Sequence, residues 1–164
     1  MTVEFDVKLE HKDMFRFNLY HTYHGFQGWL SILLGVAIIG INIFSIGQIE
    51  PMYTILYFFF GLLFIGYNPI SLYFSSKRTV TKSETLRNAL HYCFSDDGIQ
   101  VSIGEESGMI EWKQIYRAVG TKNNLLLYTG RRNAYVIPWR VVSQPAELKT
   151  LIKSQLPGFR VKVK

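Results

Sequence analysis

The sequence predicts a membrane α+β protein, in which a two-helix transmembrane hairpin is inserted in an antiparallel β-barrel or sheet that is closed by a C-terminal helix. Three observations lead to this prediction. Residues 26–74 contain one acidic residue, Glu50, and no lysine or arginine. Short strand-like runs separated by turn residues fill much of the chain after residue 90. One more strand-like run, residues 3–9, precedes the apolar block.

Residues 1–25 are predicted to form an N-terminal strand and a lead-in helix. Apolar and charged residues alternate over residues 3–9, which is the pattern of a half-buried strand. We expect this strand to join the sheet of the C-terminal region, because both are predicted on the same side of the membrane. The transmembrane hairpin would then be an insertion in one split domain. Residues 11–24 are predicted to form the helix that leads into the membrane.

Residues 26–74 are predicted to form the transmembrane hairpin, with spans at 26–46 and 53–74. Each run has at least 21 residues, which at ~1.5 Å per residue crosses a hydrocarbon layer of ~30 Å. The short stretch GQIEPM between them favours a helical hairpin. The alternative is a pair of buried helices in a soluble protein, but such helices seldom exceed about 18 residues without a charge.

The charged residues that flank the spans predict their orientation. Cations lie before the first span and after the second, and the connecting loop has none. By the positive-inside rule, the chain is a multi-pass protein of the cell (inner) membrane with both termini cytoplasmic. Residues 75–89 are polar and basic and are interpreted as a juxtamembrane tether or helical extension. The flanking cations are Lys8, Lys12, Arg16, Lys77, Arg78, Lys82 and Arg87.

Residues 90–164 are predicted to form a cytoplasmic domain. A final helix over residues 145–155 has an apolar face of Leu148, Leu151 and Ile152, and Pro157-Gly158 ends it. Six or seven antiparallel strands closed by one amphipathic helix is the plan of a pleckstrin-homology-like (PH-like) barrel. The strand-like runs are residues 90–94, 99–103, 108–112, 115–121, 124–128 and 133–138.

The same region carries a family resemblance. It contains an F-x-x-x-G-I strand, then I-x-W-x-x-I, then a hydrophobic strand and an Ile-Pro pair before the helix. This pattern resembles the C-terminal domain of the YcxB-like bacterial membrane proteins, over about residues 92–156 and extending to the two preceding spans. The resemblance implies a fold and a membrane location, with no catalytic residues to transfer. The motif residues are Phe94, Gly98, Ile99, Ile110, Trp112, Ile115, Ile137 and Pro138.

Few residues in the chain have the arrangement of a catalytic or metal site. Cys93 is the single cysteine, so there is no intramolecular disulfide and no cysteine cluster for a metal. Cys93 and His91 form the only nucleophile-like pair, and strand alternation places them on one face without an orienting third group. His21 and His24 offer too few donors for a metal. The sequence therefore predicts a non-enzymatic protein with no cofactor and no metal site.

Positive charge indicates a binding function more strongly than any residue pattern indicates a catalytic or metal site. The formal net charge is +6, and residues 75–164 carry 15 basic against 7 acidic residues. Cations near an anionic leaflet each contribute about 1 kcal/mol to binding. For Lys77, Arg78 and Lys82, the alternative is that their charge only fixes the membrane topology. Nucleic acid is disfavoured because no aromatic residues interleave with the basic loop. The candidate membrane- or partner-binding residues are Lys77, Arg78, Lys82, Arg131, Arg132 and Arg140.

These observations predict a membrane-anchored binding or regulatory module whose cytoplasmic PH-like domain docks a protein or an anionic lipid surface. The alternative is a bacterial immunity or self-protection protein that acts against a membrane-active toxin or peptide. A transporter or membrane enzyme is disfavoured because the spans hold no charge. The expected partners are the lipid bilayer, including anionic lipids, and a protein of unknown identity. Pairing of copies into a homo-oligomer stays open.

Overall fold

The computed structural model describes residues 2–83, 86, 88–131 and 133–163. It is an α+β chain that divides into two compact units, Met1–Phe17 with Ser76–Lys164 and Asn18–Ser75. The helices are α1 (His11–Tyr23), α2 (Phe26–Phe44), α3 (Pro51–Lys82) and α4 (Pro145–Gln155). The strands are β1 (Val3–Val7), β2 (Leu90–Phe94), β3 (Ile99–Ile103), β4 (Glu106–Ile110), β5 (Arg117–Gly120), β6 (Asn124–Tyr128), β7 (Ala134–Pro138) and β8 (Val161–Lys162).

All eight described strands lie in the unit formed by Met1–Phe17 and Ser76–Lys164, which is called the α+β unit below. Its first sheet has the strand order β1-β2-β3-β4 and is antiparallel throughout. β1 pairs with β2 from Val3 opposite Phe94 to Val7 opposite Leu90. Val3, Phe5 and Val7 are buried, whereas the charged residues between them are exposed. The prediction that the N-terminal strand joins the sheet of the C-terminal region is therefore confirmed.

The second sheet has the order β7-β6-β5-β8. β5, β6 and β7 form an antiparallel meander, as the turn residues between them predict. β8 instead lies parallel to β5, with Val161 beside Ala118. The last short strand of the chain thus fills the edge of β5 that lies opposite β6.

The prediction of a closed barrel is wrong, because the described strands form two separate four-stranded sheets. Closure would require the edge strands of the first sheet, β1 and β4, to pair with those of the second, β7 and β8. β8 already occupies the outer edge of β5, and the 3-10 turn Trp112–Gln114 separates β4 from β5 along the chain. Among the described residues, β4 pairs only with β3 and β7 only with β6.

Aromatic and aliphatic side chains fill the core of the α+β unit. Phe5 stacks on Phe94 with ring centroids 5.6 Å apart, and Tyr92 stacks on both rings. The indole of Trp112 donates a hydrogen bond to the Ser95 carbonyl at 2.9 Å, which fixes the β4–β5 connection. The predicted apolar face of α4 is confirmed, since the residues that form it are buried: Leu148, Leu151 and Ile152.

In the second unit, α2 packs against α3. The Asn68 amide donates a hydrogen bond to the Ser31 hydroxyl at 2.8 Å, and the Asn42 amide donates to the Thr54 carbonyl at 2.9 Å. Between these two ties the helices approach at Gly35, where an added Cβ would lie 2.7 Å from the Gly61 carbonyl oxygen. Two asparagines and two glycines thus hold the helix pair together.

One described helix, α3, is long and apolar enough to cross a membrane, and only 6% of its apolar window is buried. α1 and residues 28–44 pass the same test only as a joint pair, which is bent by 74° at its break. α2 ends at Phe44, two residues before the predicted end of the first span. α3 begins at Pro51 and continues through the first half of the predicted tether, with Pro69 inside it.

Candidate functional site

Four of the six predicted basic residues lie at exposed positions on two separate elements. Lys77, Arg78 and Lys82 occupy the last turns of α3, where Arg78 and Lys82 are four residues apart and share a helix face. Arg131 is exposed in the turn between β6 and β7. Arg132 lies outside the described residues. The structure therefore places these cations on a helix end and a loop tip, with no described cavity between them.

Arg140 has a different environment because it is paired with acidic side chains. Its guanidinium donates to the Asp13 carboxylate at 2.6 Å and contacts the Glu10 carboxylate at 3.2 Å. The Asp13 side chain is fully buried, whereas the Arg140 side chain is 40% exposed. The hydrogen bond with Asp13 raises the pKa of Arg140 above its ordinary value, and burial opposes this shift. The charge of Arg140 is thus largely compensated by Asp13 and Glu10.

Asp13 extends this ion pair into a small polar network. Its second carboxylate oxygen accepts a hydrogen bond from the Glu10 backbone N–H at 3.0 Å. Its backbone carbonyl accepts one from the Asn124 amide at 3.2 Å. The network ties the first turn of α1 to the start of β6 and to the segment after β7.

A second basic region surrounds a cavity of about 460 Å³. The wall comes from the end of β5 and the turn after it, the 3-10 turn Trp139–Val141, and the first two turns of α4. Its described lining includes two lysines and no acidic residue. The lining residues are Gly120, Thr121, Lys122, Trp139, Pro145 and Lys149.

Trp139 is held in a fixed orientation in this cavity. Its backbone N–H donates to the Asn123 carbonyl at 2.9 Å, and its indole N–H donates to the Thr121 carbonyl at 3.0 Å. The Lys149 ammonium lies 5.2 Å from the centroid of the indole ring, within the range of a cation–π contact. We call the cavity and its three defining side chains, Lys122, Trp139 and Lys149, the tryptophan–lysine pocket.

An apolar cleft of about 450 Å³ lies elsewhere in the same unit. It runs beside β4 and β7, each of which is an edge strand of its sheet among the described residues. Tyr92 lies in its wall, and burial raises the pKa of this tyrosine well above its usual range. The wall of this cleft is thus apolar, and its described lining contains no charged residue.

The outer face of β1 and β2 carries the pair Cys93 and His91, as strand alternation predicts. His91 Nδ1 lies 2.7 Å from Asp6 Oδ1, and the Cys93 thiol donates to Glu4 at 3.3 Å. Partial burial and the neighbouring Glu4 carboxylate raise the pKa of the Cys93 thiol, which lowers its thiolate fraction at neutral pH. Among the described residues, no group of three or more His, Cys, Asp or Glu is arranged to hold a metal ion.

Comparison with protein families adds one match. A family model described as YcxB-like protein matches residues 94–153. This part of the chain is therefore similar to the YcxB-like proteins. The matched range runs from the end of β2 to the last turn of α4, and it agrees with the resemblance predicted for about residues 92–156. It does not include the two preceding apolar segments, to which the resemblance was expected to extend. No significant match was found among curated proteins or among solved structures.

Every described residue that lines the tryptophan–lysine pocket lies within the matched range, residues 94–153. The sequence interpretation had singled out none of its lysines, because Lys122 and Lys149 lie on different elements and no local pattern connects them. One local feature could have indicated the pocket: a tryptophan directly follows the Ile-Pro motif, and the next helix carries a lysine on its second turn.

Proposed function

We propose that this chain is a membrane-anchored, non-enzymatic binding module whose PH-like unit docks on an anionic lipid surface. In this proposal α2 and α3 are two transmembrane helices, and both termini are cytoplasmic. The observation that carries it is the apolar surface that α2 and α3 still expose after packing against each other. Exposed side chains include Phe26 (81%), Phe44 (84%) and Leu62 (62%).

A helix pair with this surface favours a lipid environment. A helix that is apolar on all sides is buried either in protein or in a bilayer, and only 6% of the apolar window of α3 is buried within the chain. Helices also satisfy their own backbone hydrogen bonds, which a bilayer core requires. The asparagine ties and the Gly35 contact are of the kind that hold helices together in lipid.

The charge distribution supports the orientation and the type of surface. Lys77, Arg78 and Lys82 follow the apolar part of α3 directly, whereas the loop between α2 and α3 has no cation. Residues 75–164 carry a formal charge of +8. Cations close to an anionic leaflet attract it with about 1 kcal/mol each. One antiparallel sheet and one mixed sheet, with α4 after β7, support the PH-like plan without closing into a barrel.

Cysteine labelling in intact cells tests the membrane topology. In a Cys93→Ser background, we expect Gln48→Cys, in the α2–α3 loop, to react with a membrane-impermeant maleimide from outside. Ser143→Cys, just before α4, should react only after the membrane is permeabilised. Both positions are exposed, so accessibility within the chain is matched. Release of the protein by an alkaline carbonate wash, or equal labelling at both positions, would contradict the proposal.

Energy transfer tests the docking step. A donor dye on Ser143→Cys is measured against acceptor-labelled lipids in nanodiscs that hold the full chain, with and without anionic lipid. We expect higher transfer with anionic lipid and a loss of this difference at high salt, because exposed charges are screened over about 10 Å at 0.1 M salt. Transfer that does not depend on lipid charge would favour a protein partner instead.

A further inference from the structure

The structure assigns a specific ligand to the tryptophan–lysine pocket: we propose that it binds the phosphate monoester of an anionic membrane lipid. This inference rests on the proposed docking function and names the part of the unit that recognises the lipid. It differs from attraction by scattered cations, because it predicts a defined site with two lysines, one aromatic wall and a helix terminus.

Charge complementarity is the first argument. The described lining includes Lys122 and Lys149 and no acidic residue. Neither ammonium group forms an ion pair with an acidic side chain of the described residues, unlike Lys113, which pairs with Glu111, and Arg140, which pairs with Asp13. Two uncompensated cations facing one cavity attract an anion that can contact both.

The start of α4 adds backbone donors. Pro145 occupies the first turn of this 11-residue helix, and Gln144 at the N-cap forms no side-chain capping hydrogen bond. The N–H groups of a first helical turn have no partner within the helix, and the helix dipole favours an anion there. Glu147 lies on the same turn and weakens this effect, but it is exposed and does not line the cavity.

The indole of Trp139 gives the cavity a rigid wall. Its N–H is used by the Thr121 carbonyl, so the ring offers its face and edge, and Lys149 lies over that ring. A volume of about 460 Å³ exceeds the space that one phosphate needs. It falls within the range of about 300–1,000 Å³ that is typical of small-molecule sites. The cavity can therefore hold a phosphate together with the glycerol portion of a lipid.

Calorimetric titration of the full chain in neutral-detergent micelles tests the site. The probes are short-chain phosphatidic acid and inorganic phosphate. We expect the double variant Lys122→Gln/Lys149→Gln to bind short-chain phosphatidic acid at least about tenfold more weakly than the natural chain. The matched control is Lys153→Gln/Lys162→Gln, which removes the same charge at two exposed positions of the same unit that do not line the pocket. It should change the affinity less than about twofold, because exposed charges away from the site are screened by salt. Thermal unfolding of both variants shows whether the fold is intact.

Three results would overturn the inference. Equal losses in the two double variants would show diffuse charge attraction in place of a site. Inorganic phosphate that binds as tightly as phosphatidic acid would assign the pocket to soluble phosphate compounds. No measurable binding by the natural chain would remove the ligand altogether. If cysteine labelling confirms the topology while the titration fails, only this inference fails, since the labelling does not depend on the pocket.

Discussion

The ion pair between Asp13 and Arg140 offers the sharpest test of the fold. Replacing Arg140 with glutamine leaves a fully buried carboxylate without its cation. Breaking a buried pair in this way costs about 3–5 kcal/mol, whereas an exposed pair contributes about 0–1 kcal/mol. The Arg140 side chain is 40% exposed, so solvent screens part of the interaction. We expect Arg140→Gln to lower the free energy of unfolding by about 2 kcal/mol.

Urea unfolding of the full chain in neutral-detergent micelles measures this loss, with fluorescence from Trp112 and Trp139 as the signal. Arg131→Gln is the matched control, because Arg131 is an exposed arginine in a turn and should change stability by less than about 0.5 kcal/mol. A double-mutant cycle with Asp13→Asn should give a coupling energy of about 1–2 kcal/mol. Equal effects of the two arginine variants, or a coupling near zero, would refute the reasoning.

The pH dependence of this pair has a definite sign. Folding raises the pKa of Arg140, so its contribution is fully present below the unfolded arginine pKa and is lost only as the pH rises through the folded pKa. Both values lie far above neutral pH. The contribution from the arginine side should therefore stay constant between about pH 6 and about pH 9.

Three further predictions concern other parts of the chain. Gly35→Ala should destabilise the α2–α3 pair by about 1–3 kcal/mol, because the new Cβ would lie 2.7 Å from the Gly61 carbonyl oxygen. Gly40→Ala, which meets no atom within 4 Å, should be neutral or stabilising in the same unfolding assay. Phe5→Ala should lower the stability of the α+β unit by about 3 kcal/mol through loss of the stack on Phe94; an unchanged midpoint would show that β1 is dispensable. Glu4→Gln should speed alkylation of Cys93 several-fold near neutral pH, because the carboxylate raises the pKa of the thiol; an unchanged rate would contradict that assignment.

Local patterns predicted most elements of the fold. Strand alternation marked residues 3–9, and the bounds at 90–94, 99–103, 124–128 and 145–155 agree with β2, β3, β6 and α4. These segments combine a clear hydrophobic periodicity with turn residues on both sides, so the secondary structure of each can be predicted without knowing its tertiary contacts. The uncharged length of α3 likewise identified an apolar helix.

Other features depend on contacts between distant residues and had no local signal. The closed barrel was predicted wrongly because β8 is only two residues long and pairs with β5 in parallel, which no periodicity reveals. The ion pair of Arg140 with Asp13 had no local signal, because the two residues are 127 positions apart. The tryptophan–lysine pocket combines a turn, a 3-10 turn and a helix, so its lysines meet only in the folded chain.

The antiparallel pairing of β1 with β2 also limits when the first sheet can form during synthesis. About 80 residues, including both apolar helices, separate Val7 from its partner Leu90. At about 5–20 residues per second, a ribosome needs roughly 4–16 s to synthesise that interval. During this time β1 has emerged but has no neighbour in its sheet. Its charged residues, Glu4 and Asp6, then keep an unpaired strand soluble while the helices are placed.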